Sequence, residues 1–191
     1  MFLIVGLGNP ESKYAGTRHN LGFNVIDELR RKLEAGNWKL EDKFKAEVLK
    51  INNLILARPQ TYMNLSGMAI SNIASYYKIP PENIIIIYDE LDLSLGHIKV
   101  RVGGSAAGHH GVESVIEKLG TDKFIRVRLG IGNLQSQSGE HKHRSFNAEH
   151  YVLDFFQPNE KSTVKRMIKE AIKAVGIILK KGLEKAQHQF N

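Results

Sequence analysis

A polar stretch near the amino terminus holds the side chain best suited to proton transfer at neutral pH. His19 stands between Arg18 and Asn20, and Asn9 precedes it in the turn at residues 6–10. Histidine titrates close to neutrality, so it can act as a general base or acid. Most loop histidines are simply solvated, and His19 considered alone fits that description better. A chemical role therefore requires a partner elsewhere in the chain.

A carboxylate that could be this partner follows the most apolar stretch of the sequence. Four isoleucines occupy residues 84–87, and Asp89 comes two residues later. A carboxylate bonded to one imidazole nitrogen fixes the tautomer, leaves the other nitrogen as a base and stabilises the imidazolium. Because the chain has no Gly-x-Ser-x-Gly motif, a His19–Asp89 pair favours direct activation of water. A helix cap or a surface turn explains Asp89 alone about as well.

Other side chains could bind a substrate. Asn9 and Asn64 are amides that could hold a carbonyl or orient water, although Asn64 also suits a helix cap. Tyr14 and Tyr62 could stack on a base or a ribose, or they could pack partly buried. Each of these residues has an ordinary structural explanation, so none of them identifies a function alone.

Cations alternate along two predicted strands. The residues are Lys99, Arg101, Arg126 and Arg128. They could form one basic face for phosphates, or each strand could simply have a solvated face. The chain as a whole has 27 Lys and Arg against 20 Asp and Glu, a net charge of +7. That balance suits nucleic acid as a partner but also suits simple solubility.

Three other kinds of site fit poorly. The Gly-x-Gly of the first turn lacks the third glycine of a dinucleotide fingerprint, because Glu11 occupies its place. Residues 103–108 resemble a phosphate cradle without the Gly-Lys-Ser/Thr ending, yet they could present N–H groups at a helix start. The pairs His109-His110 and His141-x-His143 have no carboxylate at metal-ligand spacing, so no metal site is expected.

Composition places the chain among ordinary globular proteins. Its 191 residues are 42% hydrophobic and 25% charged, which suits one soluble domain. The absence of cysteine excludes disulfides and thiol nucleophiles and fits a reducing, cytoplasmic compartment. No secretory signal or apolar run of membrane length is expected, so no membrane partner is expected either.

The alternation of strand and helix patterns predicts an α/β fold. We expect a single domain over residues 1–191, with a mixed, twisted β-sheet covered by helices on both faces. The predicted strands are residues 2–5, 44–51, 54–57, 84–87, 98–102 and 124–131. Asn20 and Asn64 are expected to cap helices, and a third helix is predicted at 112–119. A mobile polar loop is expected at about 133–147, then one amphipathic helix at about 159–184 with a frayed end.

Taken together, these stretches resemble bacterial peptidyl-tRNA hydrolases. The matching segments run in family order and at family spacing across most of the chain. They are residues 5–10, Tyr14, residues 17–20, 61–67 and 89–93, Gly108-His109 with Gly111, and residues 126–132. Several separate motifs in order make this resemblance far more specific than any single motif.

The resemblance implies a monomeric esterase without metal or other cofactor, which cleaves the ester joining a peptide to the 3′ ribose of tRNA. In such an enzyme His19 would be the proton acceptor and Asp89 its stabilising partner, while Asn9 would distinguish peptidyl-tRNA from free aminoacyl-tRNA. The residues implied to line the substrate site are Tyr14, Tyr62, Asn64 and His110. Those implied to contact tRNA phosphates are Lys99, Arg101 and Arg128.

One departure from the family pattern keeps an alternative open. The family usually has asparagine after the Gly-His pair, where this chain has His110. Histidine can still donate a hydrogen bond, but its charge varies with pH. An RNA-binding module that keeps the fold without hydrolysis is the alternative, although His19, Asp89 and Asn9 favour the enzyme. A nucleotide-binding oxidoreductase is disfavoured by the broken glycine pattern.

Overall fold

The computed structural model describes residues 1–132 and 147–191, so the predicted polar loop falls almost wholly outside the described residues. One sheet organises the described chain. Its strands are β1 (Phe2–Gly6), β2 (Lys39–Glu41), β3 (Ala46–Ile51), β4 (Leu54–Pro59), β5 (Ile84–Ser94), β6 (Ile98–Val102) and β7 (Ile125–Gly132). Their order is β2-β3-β4-β1-β5-β7-β6. Strands β4, β1, β5 and β7 run parallel to one another. Strands β2, β3 and β6 pair antiparallel with their neighbours.

Helices cover both faces of this sheet, as the sequence predicts. They are α1 (Leu21–Lys32), α2 (Ser66–Tyr77), α3 (His110–Leu119), α4 (Ala148–Leu153), α5 (Lys161–Lys181) and α6 (Leu183–Phe190). Side chains of α1 and α5 share one buried cluster with the sheet, and side chains of α2 and α3 share the other. Within the described residues, no helix combines the length and the apolar character needed to cross a membrane.

The predicted central strand is confirmed and is longer than expected. Isoleucines 84–87 are fully buried in β5, between β1 and β7. They point alternately into the two clusters, because successive side chains of a strand face opposite sides. The strand then continues through Tyr88 and Asp89. Asp89 therefore stands at the carboxyl edge of the parallel strands, the usual place for a ligand crevice.

Glycines at the start of the chain serve close packing and not an unusual backbone conformation. Neither Gly6 nor Gly8 has a positive φ. A Cβ on Gly6 would lie 2.2 Å from the Gly22 carbonyl oxygen, and one on Gly22 would lie 2.4 Å from the Ile87 carbonyl oxygen. The first turn of α1 therefore packs directly on β1 and β5. This contact brings His19, two residues before α1, to the end of β5.

Of the two predicted asparagine caps, Asn20 stands at the N-cap position of α1 but its side chain makes no cap hydrogen bond, and the cap predicted at Asn64 is wrong. Both α1 and α2 begin without a side-chain cap, and α2 starts only at Ser66. Asn20 instead accepts a hydrogen bond from the backbone N–H of Asn9 and donates to the Asn9 carbonyl, each at 2.9 Å. The side chain is thus used to join two loops, and Asn64 is left exposed.

The helix predicted at about 159–184 is present as α5 at Lys161–Lys181, but the chain then forms a second helix where a frayed end was predicted. The break falls at Gly182, whose φ of +87° lies in the region that favours glycine. The chain end is not frayed, since Ala186 is buried and the Asn191 side chain bonds both backbone groups of Val100 at 2.9 Å. These bonds cover part of the edge strand β6.

Candidate active site

Asp89 is the centre of a cluster in which one carboxylate contacts two imidazoles. Nδ1 of His19 lies 3.0 Å from both carboxylate oxygens, and Nε2 of His109 lies 3.1 Å from Oδ1. The end of β5 supplies Asp89, a 3-10 turn before α1 supplies His19, and the start of α3 supplies His109. The side chain of Asp89 is 2% exposed. The expected contact between His19 and Asp89 is therefore present, together with a partner that sequence reasoning missed.

The tautomer of His109 follows from its other ring nitrogen. His109 is the N-cap of α3, and its Nδ1 accepts from the backbone N–H groups of Gly111 at 3.1 Å and Val112 at 3.3 Å. An accepting nitrogen carries no hydrogen, so Nε2 bears the proton and donates to Asp89. Protonating Nδ1 would break the cap and place a cation at the positive end of a helix.

Burial and charge act in opposite directions on His19 and Asp89. Burial lowers the pKa of His19, but the charge and hydrogen bond of Asp89 outweigh burial and raise that pKa above its ordinary 6.5. Burial likewise opposes ionisation of Asp89, yet the charges of His19 and His109 and the hydrogen bonds from both rings hold its pKa well below 3.8. Asp89 is therefore an anion at neutral pH. It accepts the Nδ1–H of His19, which leaves Nε2 as the basic nitrogen.

Asn9 presents one fixed amide group beside this cluster. The residue is 7% exposed, and its Oδ1 accepts the backbone N–H of Met63 at 2.8 Å. The side chain of Asn20 bonds both the backbone N–H and the backbone carbonyl of Asn9. Since the oxygen is occupied by the protein, the Nδ2 group is the part of the Asn9 side chain that can donate to a ligand.

Two adjoining cavities form a cleft over the cluster. Their volumes are about 180 and 270 Å³, and they share His19, His110, Glu149 and Val152. Of the residues implied to line the substrate site, Tyr62, Asn64 and His110 line this cleft. A larger groove of about 630 Å³ lies between α1 and α5 at the opposite edge of the sheet. It is apolar and has only lysines as charged groups, so it offers no pair for proton transfer.

The residues at the mouth of the cleft differ in their engagement. His110 is largely exposed, and its Nδ1 contacts Glu113 Oε2 at 2.9 Å. Tyr62 is also exposed and donates its hydroxyl hydrogen to Glu11. Tyr14 does not line either cavity. Tyr14 is linked to the mouth through its neighbours. The Lys13 ammonium lies 4.9 Å from the Tyr14 ring centroid and 2.9 Å from the carboxylate of Glu11, which also accepts from Tyr62.

The predicted basic face exists, but the arginines of β7 are engaged within the protein. Lys99 lies opposite Arg128, and Arg101 lies opposite Arg126, on the paired strands β6 and β7. Arg126 is buried and donates to two loop carbonyls at 2.6 and 2.8 Å. Arg128 contacts the buried carboxylate of Glu90 at 2.8 and 2.9 Å. Of the described residues, none forms an ion pair with Lys99 or Arg101.

A metal ion could also be held by the atoms of the cluster. His19, Asp89 and His109 each offer one ligand atom, and these atoms lie within 4.8 Å of one another. The three direct N···O contacts and the cap at His109 already satisfy these groups as hydrogen bonds. Hydrogen bonding therefore accounts for the arrangement of these three side chains without a metal ion. Of the histidine pairs seen in the sequence, the one at residues 141 and 143 lies outside the described residues.

Comparison with known proteins gives one consistent result. A family model described as peptidyl-tRNA hydrolase matches residues 3–191. The chain is 44% identical over 195 residues to a peptidyl-tRNA hydrolase of Thermoanaerobacter sp., with all of both chains covered. It is 41% identical over 193 residues to one of Clostridium botulinum, covering 100% of this chain and 96% of the relative. The crystal structure of the Acinetobacter baumannii peptidyl-tRNA hydrolase is similar, with a TM-score of 0.88, 34% identity and coverage of 100% and 94%.

Proposed function

The chain belongs to the peptidyl-tRNA hydrolase family, and on that basis we propose that it hydrolyses the ester between a peptide and the 3′ ribose of tRNA with water activated by His19. The observation that carries this proposal is the Asp89 carboxylate, buried beneath the cleft and bonded to both histidines. The enzyme would work as a monomer in the cytoplasm.

The reaction needs one group that takes and returns a proton. Nε2 of His19 accepts a proton from a water molecule as the water oxygen attacks the ester carbonyl carbon. The tetrahedral intermediate then collapses, and the bond to the ribose oxygen breaks. The imidazolium of His19 returns its proton to that oxygen. The products are the peptide carboxylate, after loss of its acid proton to solvent, and tRNA with a free 3′ hydroxyl group.

The arrangement around Asp89 favours His19 as the ring on which charge develops during the reaction. Two cations beside one carboxylate would oppose each other. The cap at α3 keeps the proton of His109 on Nε2, where it serves as a hydrogen-bond donor to Asp89. The full negative charge of the carboxylate is thereby available to the imidazolium that forms at His19.

Asn9 would select substrates whose amino group is blocked. We propose that its Nδ2 group donates to the first peptide carbonyl of the substrate, since its Oδ1 is bound to Met63. A free aminoacyl-tRNA lacks that carbonyl and presents an ammonium group instead. An N–H donor facing an ammonium group leaves both without an acceptor, which is costly in a buried site. Tyr62, Asn64 and His110 would contact the substrate at the mouth, with Tyr14 beside them.

Turnover on two substrates tests this function. The purified chain should release tRNA from an N-acetylated aminoacyl-tRNA and leave the matching free aminoacyl-tRNA intact. Release would be followed by gel separation of acylated and free tRNA. Binding of tRNA without any turnover would instead support the RNA-binding module that the sequence left open.

Phosphate binding should depend on Lys99 and Arg101. Replacing both with alanine is expected to weaken tRNA binding and to reduce the slope of log affinity against log salt by about 0.9 for each duplex phosphate that is no longer neutralised. The measurement is the Kd of deacylated tRNA at several salt concentrations. Arg128 is left unchanged, because its removal would strand the buried carboxylate of Glu90.

A matched control uses two lysines at the far end of α5. Lys180→Ala with Lys181→Ala removes the same amount of charge away from the basic face. An unchanged slope in the Lys99 and Arg101 double variant, or an equal change in the control, would contradict the assignment of this face to tRNA phosphates.

A further inference from the structure

Another cavity lies near the cleft and has a different character. Its volume is about 480 Å³, and its lining is Gly16, Phe155, Phe156, Lys161, Val164, Lys165 and Ile168. Phe155 is 59% exposed, which is unusual for a phenylalanine. The cavity thus combines an exposed aromatic ring, an apolar floor and two cations, and no carboxylate lines it among the described residues.

The cavity lies close to the cleft along the chain. Leu153 lines the cleft and Phe155 lines the cavity, and two residues of chain span at most about 7 Å. The same segment is pinned beside the loop that carries His19. Phe155 forms an antiparallel bridge with Thr17, and the Arg18 N–H donates to the Asp154 carbonyl at 3.0 Å. A ligand that extends from the cleft can therefore reach this cavity.

A largely buried ion pair packs against one of the rings that line the cavity. Arg18 donates to both carboxylate oxygens of Glu160, at 3.1 and 2.7 Å, and its side chain is 4% exposed. The guanidinium also lies 4.7 Å from the ring centroid of Phe156 and 4.5 Å from that of Tyr151. Phe156 is therefore partly buried against the core, whereas the ring of Phe155 faces solvent.

The charge of the cavity favours an anion. Lys161 and Lys165 are exposed and stand four residues apart on α5, so they share one face of that helix. No ion pair engages either lysine in the part of the chain that the structure describes. The carboxylate nearest in sequence, that of Glu160, is already bound by Arg18.

We propose that this cavity binds a nucleotide of the tRNA substrate, with its base stacked on Phe155 and its phosphate on Lys161 and Lys165. The inference rests on the proposed function, which makes RNA a ligand of the cleft. Aromatic rings combined with cations are how single-stranded nucleic acids are bound without base-specific hydrogen bonds. A peptide segment is the other candidate occupant, but peptides of varied sequence carry no regular negative charge that would match two lysines.

This binding surface is separate from the basic face on β6. Ile98 and Val100 share a buried cluster with Val164 and Met167 of α5, so the alternating Lys99 and Arg101 point to the other side of the sheet. Effects of changes at the two surfaces should therefore add, as they do for distant sites without shared partners.

The direct test is Phe155→Ala, with two substrates. KM for an N-acetylated aminoacyl-tRNA should rise by roughly 5- to 150-fold, the range for loss of one base–aromatic stack. Activity on the corresponding N-acetylated aminoacyl ester of adenosine should not change, because that ester has no further nucleotide. Phe155→Trp keeps a stacking surface and should restore the KM.

Two controls guard against indirect effects. Tyr76→Ala removes an equally exposed ring, 60% against 59%, that also has a lysine nearby, with Lys43 Nζ 4.3 Å from its centroid. Tyr76 belongs to α2, which packs on the opposite face of the sheet from α5. Lys161→Gln with Lys165→Gln should lower the salt dependence of tRNA binding, whereas Lys180→Gln with Lys181→Gln, about 29 Å along α5, should not.

Three results would overturn the proposal. They are an unchanged KM for the tRNA substrate, an equal loss of activity on the adenosine ester, and an effect that grows with the length of the peptide instead of the RNA. The last result would assign the cavity to the peptide. Failure of the unmodified protein to hydrolyse either substrate would contradict the proposed function itself, and the Phe155 variants would then be judged by the Kd of deacylated tRNA.

Discussion

His19→Ala is expected to lower kcat/KM on peptidyl-tRNA by roughly 10²- to 10⁴-fold, the usual contribution of a general base. The variant removes the nitrogen that would accept the proton of water, and the other ring bonded to Asp89 cannot replace it. His109 is the only other ring bonded to Asp89 among the described residues, and both of its nitrogens are engaged. Binding of tRNA should persist, because the basic face and the Phe155 cavity are unchanged.

The measurement is single-turnover hydrolysis of N-acetylated aminoacyl-tRNA, together with the Kd of deacylated tRNA. His97→Ala is the matched control, since His97 is exposed in the turn between β5 and β6, away from the cleft. Asp89 should tolerate the loss of His19, because it keeps the hydrogen bond from His109. Near-normal turnover of His19→Ala in a folded protein would show that another group activates water.

Asp89→Asn is expected to lower the rate by an amount approaching 10⁴-fold, the size found when the aspartate of a protease triad is replaced by its amide. Both histidines donate to the carboxylate, which only accepts. An asparagine has one accepting oxygen and one donating NH₂ group. Because the cap fixes the tautomer of His109, the oxygen should face that ring and the NH₂ group should face His19. His19 would then carry its proton on Nε2 and could not act as a base.

The ¹⁵N NMR shifts of the His19 ring test this prediction directly. The unmodified protein should show a protonated Nδ1 and a basic Nε2 at high pH, and Asp89→Asn should reverse the two. Asp42→Asn is the control, since Asp42 is an exposed carboxylate in a turn before β3. Full activity of Asp89→Asn, or an unchanged tautomer with activity abolished, would contradict this role of Asp89.

The strands that could be predicted from the sequence are those whose burial leaves a pattern. Isoleucines 84–87 lie between two parallel neighbours, so both faces of the strand are apolar and the run is unbroken. By contrast, β2 spans only three residues, of which Lys39 and Leu40 are exposed, so its sequence has no alternation to detect. The predicted start of β3 is two residues too early, because Phe44 belongs to a 3-10 turn and Lys45 has a φ of +51°.

The partners within the site could not be predicted, because they depend on contacts between distant residues. Nothing in the residue type of His109 indicates a helix cap, since histidine is not among the preferred capping residues. Its bond to Asp89 joins positions 20 apart, and the bond from Arg128 to Glu90 joins positions 38 apart. Residue types and strand ends therefore indicate where the chemistry lies, whereas the fold determines which groups share a proton.

The break in the carboxyl-terminal helix has a signal in the sequence. The apolar stripe of α5 suggests one continuous helix, and Gly182 follows two lysines at its end. Cations in the last turn and a glycine just beyond it are the usual signs of a helix end. Tertiary contacts then stabilise α6, which a short polar segment would not form alone.

The pH dependence of kcat/KM on N-acetylated aminoacyl-tRNA tests the central claim most directly. This ratio reports the ionisation of the free enzyme, and only neutral His19 can accept a proton from water. Asp89 raises the pKa of His19 above 6.5, so the protonated, inactive form should dominate below that value. Measured from about pH 5 to about pH 8, activity should fall with decreasing pH along a one-proton limb whose midpoint lies above 6.5. Constant activity down to the lowest pH, or a midpoint below 6.5, would contradict the assignment of His19 as the base held by Asp89.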